Sequence, residues 1–161
     1  MAERPSMGWN TMTTATKILL IGGLLFFIDL FLPWYSCSLA RTIGCGTASG
    51  WHGALGVLVG IIIILILVME VLIVLGVPVN VGTPAMRNQI EGVLAMVLLV
   101  LTFLHVLLKP SAPSIVHVGW EIWAWIGLIL SAVIAYGGYM RWQESKVTTP
   151  PPATPGGGFA T

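Results

Sequence analysis

Read along the chain, apolar residues do not alternate with polar ones; they come in long runs separated by short polar or turn-forming breaks. An α-helix needs about 20 apolar residues, at about 1.5 Å each, to cross a hydrocarbon core of about 30 Å. Four runs reach that length, and they predict spans over about 17–35, 53–77, 90–108 and 118–140. Each is bounded by turn-formers or charges: Pro33, the Gly/Ser cluster at 44–50, Pro78 and Pro84, then Pro110 and Pro113. Period-2 alternation is absent, so helices rather than barrel strands are expected. The predicted fold class is all-α: a polytopic membrane protein whose domain, 17–144, is a four-helix transmembrane bundle.

Composition agrees with that solvent. The chain has 161 residues, of which 57% are hydrophobic and 8% charged, whereas a soluble domain carries about 25% charged residues. A soluble enzyme is excluded on that ground. A net charge of +1 with no basic cluster argues against nucleic-acid binding. Asp29 interrupts the first apolar run, which is also longer than a leader peptide's, so this run is expected to stay as an anchor.

An even number of spans puts both termini on one side, and Lys and Arg set which side that is. Arg4, Lys17, Arg87, Arg141 and Lys146 fall on the terminus side, against Arg41 and Lys109 on the other. Both termini are therefore expected in the cytoplasm, with the chain integral to a bacterial inner membrane. Trp34, Trp51 and Trp120 mark the outer ends of spans and Trp142 an inner end, where amphipathic rings anchor at the interface.

The N-terminal segment 1–16 is short. The outer loop 36–52 contains Cys37 and Cys45, the only cysteines. Outside the cytoplasm such a pair tends to oxidise, so a disulfide is expected. The C-terminal stretch 145–161 has four prolines and three consecutive glycines, too little apolar surface to offset chain entropy, and reads as a disordered tail.

Candidate chemistry lies at membrane depth, where an ionisable side chain is costly enough to imply a role. Asp29 stands about 18 Å along span one from Lys17, and His105 about 21 Å along span three from Glu91. The two share a layer, with Thr102 one turn below His105, and together they form a candidate proton or ion site. Glu70 falls near the inner interface, where Arg87 or Arg141 is the expected partner. Glu91 and Glu121 are placed at helix N-termini, which favour anions. Gly56 and Gly60, and the stripe Gly127, Ser131 and Ala135, are small-residue faces suited to close helix packing.

Searches for P-loop, zincin, dinucleotide-binding and nucleophile-elbow motifs fail. Only Glu121 with His117 offers an interfacial acid–base pair, and no enzyme is expected. No cofactor and no metal are expected either. Phe31–Ser36 (FLPWYS) closing the first span and Gly46–Gly53 (GTASGWHG) entering the second resemble the small four-span membrane proteins of actinobacteria and related bacteria. That resemblance covers spans one and two with the outer loop, and it implies no activity. The expected partners are the lipid bilayer and other membrane-protein subunits, or a second copy of the chain. The expected function is an accessory, scaffold or interaction subunit. The alternative is a small proton- or cation-coupled transporter or channel component using Asp29 and His105.

Overall fold

The computed structural model describes residues 12–39, 43–77, 82–109, 113 and 116–147. Four helices and three short strands follow in the order α1 (Thr14–Asp29), β1 (Pro33–Leu39), β2 (Ile43–Ser49), α2 (Gly53–Val74), α3 (Pro84–Leu107), β3 (Val116–Trp120) and α4 (Ile122–Val147). Helices α2, α3 and α4 are long and apolar enough to cross a membrane. Helix α1, at 16 residues, rises only about 24 Å and falls short of that length. The fold is mostly helical, but the all-α expectation is corrected by the sheet.

Helix ends follow local chemistry. Thr13 caps α1, its hydroxyl accepting the Thr16 N–H at 3.3 Å. Thr83 caps α3 in the same way through Met86 N–H at 3.2 Å, with Pro84 in the first turn. Pro84 is expected at the break between spans two and three. It is instead a helix starter, because its missing N–H is one that no helix can satisfy internally, and α3 begins six residues before the expected boundary at 90. Helix α2 stops at Gly76, whose φ of 65° is left-handed. There Val77 N–H reaches back to the Leu72 carbonyl at 3.0 Å, closing the helix.

Each helix packs on two others: α1 and α3 both lie against α2 and α4. Leu19, Phe26, Val59, Ile63, Ile66, Leu98 and Ile134 fill the space between them and are fully buried. The outward faces remain apolar, with Leu25, Ile61, Val100 and Ile129 among many exposed side chains. Their exposure is what a hydrocarbon solvent allows and water does not.

The stretch expected as a loop at 36–52 contains most of β1 and all of β2, which pair antiparallel. Strand β1 is central in the order β2-β1-β3, and all pairings are antiparallel. Strand β3 takes the first residues assigned to span four, so α4 starts at Ile122 and runs on through residues placed in the tail. Residues 148–161 of that tail, and 1–11 of the N-terminal segment, lie outside the described residues. Hydropathy alone could not separate β3 from α4, because the strand is short and flanks a helix of similar composition.

Candidate functional site

Two layers of buried polar side chains stand at opposite ends of the helices. The larger is centred on Arg141 of α4, which is 4% exposed. Its Nη2 donates to both carboxylate oxygens of Glu70 on α2, each at 2.8 Å, and to Thr16 Oγ1 on α1 at 2.8 Å. Its Nε donates to Glu91 Oε2 on α3 at 3.2 Å and to Glu70 Oε1 at 3.3 Å. Nη1 turns to Glu144, one turn along its own helix, at 3.3 Å. One guanidinium thus joins all four helices. Planar, forked geometry is what lets Arg, unlike Lys, serve several acceptors at once.

Glu70 pairs with Arg141, one of its two expected partners. Glu91 departs from expectation. Because α3 begins at Pro84, Glu91 lies well inside the helix and is fully buried rather than sitting at an N-terminus. Two buried carboxylates face the Arg141 guanidinium. Glu91 Oε1 and Arg87 Nε are buried without hydrogen-bond partners among the described residues. The signal for this layer was in the sequence, as Glu70, Glu91 and Arg141 all lie near one end of their apolar runs. Fixing the three on one point requires the helix rotations, which an apolar run without amphipathic period does not give.

The second layer lies beneath the sheet and contains Asp29, Thr102 and His105, all buried. An Asp29–His105 pair does not form among the described residues. The indole of Trp34 packs on the His105 ring, their centroids 5.5 Å apart. The same indole N–H donates to the Asp29 backbone carbonyl at 3.0 Å. The Asp29 carboxylate instead faces Gly127 of α4, where a Cβ would come within 2.6 Å of Oδ2. Both Asp29 oxygens, Thr102 Oγ1 and His105 Nε2 are buried without partners among the described residues. Trp34, expected as an interfacial anchor, is fully buried and acts as this wedge.

The last carbonyls of α3 have no intrahelical donors, and side chains from the sheet supply them. Tyr35 O–H donates to the His105 carbonyl. Trp120 N–H donates to the Val106 carbonyl at 2.8 Å. Lys109 lies over the Trp120 ring, 3.6 Å from its centroid, and donates to the Val118 carbonyl at 3.2 Å. Trp120, Trp51 and Trp142 keep partly exposed rings. These three remain compatible with interfacial positions.

The small-residue faces are used inside the molecule. A Cβ on Gly60 would lie 2.0 Å from the Trp51 ring, and one on Gly127 would lie 2.4 Å from Trp34. Gly56 closes on the Gly50 carbonyl, where a Cβ would fall at 2.3 Å. Ser131 is fully buried and bonds the Leu128 carbonyl on its own helix, and Ala135 is buried as well. Cys37 stands opposite Gly46, and Cys45 is the extra residue of the bulge between that pair and Ser38–Gly44. The chain matches no protein-family model and no curated protein.

Proposed function

We propose that this chain is a four-span integral membrane protein that serves as an accessory or scaffold subunit of a membrane complex, with the sheet as its outward docking face. The carrying observation is the four-helix junction at Arg141, with a core of fully buried apolar side chains above it. Groups so tied, in a section so filled, favour a rigid body whose work is done by its surface. In this reading α1 is the fourth span, its 16 helical residues extended by the turn at Leu30–Leu32. Both termini face the cytoplasm of a bacterial plasma membrane, on the excess of Lys and Arg at that end. A Cys37–Cys45 bridge fastens the hairpin. Its support is the bulge that sets the two residues side by side in the ladder, and the absence of a free cysteine among the described residues.

With Gly56, Gly60, Gly127, Ser131 and Ala135 engaged within the chain, partners meet the sheet and the exposed apolar helix faces. Photo-crosslinkers at Thr47 on β2 and Val133 on α4, both exposed, test this in native membranes after mild extraction. A defined foreign subunit in stoichiometric yield is expected from one or both positions. Recovery of the chain alone, or only with itself, would sink the accessory reading.

A second reading, a proton- or cation-coupled transporter or channel component, is favoured by the partnerless oxygens of Asp29 with Thr102 Oγ1 and His105 Nε2 in the same layer. In proteoliposomes it requires a pH-dependent flux that Asp29→Asn abolishes. The accessory reading requires no such flux.

A further inference from the structure

A groove of about 260 Å³ runs along the seam between α1 and α4, with walls that include Thr14, Lys17, Ile21 and Leu25 of α1 and Leu130 and Val133 of α4. We propose that it holds one anionic phospholipid, its headgroup at Lys17 and an acyl chain along the seam. The proposal rests on the reading of α1 as a membrane span. It is independent of the accessory role.

The length of the groove suits a lipid chain. From Thr14 to Leu25 is eleven residues, about 16 Å along the helix. Arg141 of α4 bonds Thr16 of α1, which sets the level of one helix against the other. Leu130 again stands eleven residues, about 16 Å, from Arg141. Both walls therefore end about half-way across a hydrocarbon core of about 30 Å. A trough one leaflet long matches a single acyl chain, whereas a partner's helix would cross both leaflets. Between its ends lies Gly22, where a Cβ would be 3.3 Å from Ile134, so α1 closes on α4 along this trough.

Polarity is confined to one end. The wall carries no polar side chain from Ile18 to Leu25 or on α4, and Thr14 and Lys17 stand at the terminus side. A lysine stem follows apolar surface while its charged head meets the headgroup layer. No Asp or Glu lines the groove among the described residues. Other grooves near this end differ in charge. That beside Met86, Ile90 and Val93 of α3 carries no charged side chain. That beside Tyr139 and Gln143 of α4 carries the Glu144 carboxylate. An apolar trough and a cation coincide at Lys17, and that combination selects a lipid whose headgroup is negative.

The full chain is reconstituted in nanodiscs of equal phosphatidylglycerol and phosphatidylcholine, released, and its retained lipid read by native mass spectrometry. One bound lipid is expected, with phosphatidylglycerol favoured about fivefold, as for one lysine at an anionic surface. Lys17→Gln is expected to keep the lipid and lose the preference. Val133→Trp fills the trough from an exposed position and is expected to lose both lipids, whereas Val100→Trp, exposed on α3, retains them. Melting in detergent checks that each variant is folded. No retained lipid in the unaltered chain, no preference between the two, a preference that survives Lys17→Gln, or retention that survives Val133→Trp overturns the proposal. In intact cells, an impermeant amine reagent that labels Lys109 but spares Lys17 tests the placement of α1 by itself. A failed topology is thereby told apart from a groove that binds no anionic lipid.

Discussion

The two ends of this molecule bury charge in opposite ways. Around Arg141, four helices bring polar groups to one point, and the guanidinium makes hydrogen bonds to Thr16, Glu70, Glu91 and Glu144. Under the sheet, Asp29, Thr102 and His105 leave side-chain atoms unpartnered among the described residues, with the indole of Trp34 packed on His105 and bonded to the Asp29 carbonyl. The first arrangement is a structural tie. In the second, the polar groups are isolated from one another by aromatic packing while the sheet's own donors go to the end of α3. Buried ionic groups do not carry one meaning. What separates the two layers is whether the neighbouring helix offers a charge or a ring.

That contrast is broken most forcefully at Arg141. Replacing it with Met leaves Glu70 and Glu91 facing each other in a buried site. Removing one member of a buried pair costs about 3–5 kcal/mol, mostly from the charge left behind. Thermal unfolding in detergent, followed by near-ultraviolet circular dichroism, is expected to register a loss of that size. The double variant Glu70→Gln, Glu91→Gln is expected to be damaging too, though less so, since it leaves the guanidinium only the part-exposed Glu144 as a counter-charge. Glu91→Gln alone is milder, because Glu70 keeps both of its oxygens on Arg141. Equal losses for the double variant and Glu91→Gln would show that Glu70 does not hold the junction.

Much of this was readable in the chain, and the reasons for the rest are physical. Long apolar runs marked α2, α3 and α4, since any residue facing lipid or core must be apolar. Rise per residue is fixed, so distance along each helix is countable from the chain. Rotation about each helix axis is not so fixed, and it decides that Asp29 faces Gly127 while Arg141 faces Glu70 and Glu91. The strands were missed for a different reason. Tyr35–Leu39 (YSCSL) does alternate apolar with polar, but over only five residues directly after an apolar run, and its partner Val116–Trp120 lies far along the sequence. Non-local pairing leaves little local trace.

Asp29→Asn sharpens the comparison with a smaller effect of opposite sign. Its carboxylate makes no hydrogen bond among the described residues, so an amide of the same shape gives up no bond. A neutral amide also costs less to bury than a carboxylate. Stability is expected to stay level or rise, by up to about 2 kcal/mol. The same melting experiment serves. A clear loss would mean that the carboxylate has a bound proton or cation as its partner in the membrane, moving the sheet-end layer toward the transporter reading.

The smallest change tests whether the sheet is fastened to α3 by single donors. Tyr35 is 1% exposed, and its hydroxyl serves the His105 carbonyl, which has no helical donor. Tyr35→Phe keeps the ring and removes that donor, for an expected loss of about 1 kcal/mol near neutral pH. Burial in the sheet pushes the phenol up to about 12 from its ordinary 10.0. Between those values the unfolded chain releases this proton and the folded chain retains it. The folded state then binds more protons, so stability falls as pH rises. Tyr35's contribution is fully present below about pH 10 and fades toward pH 12. The phenylalanine variant lacks that decline, while the exposed Tyr136 and Tyr139 remain in both proteins. The advantage of the tyrosine protein is therefore expected to shrink above about pH 10 and then to reverse, the phenylalanine variant melting higher in strong alkali. A gap constant across that range would mean that the hydroxyl titrates as freely folded as unfolded, and hence that it is not enclosed between the sheet and α3.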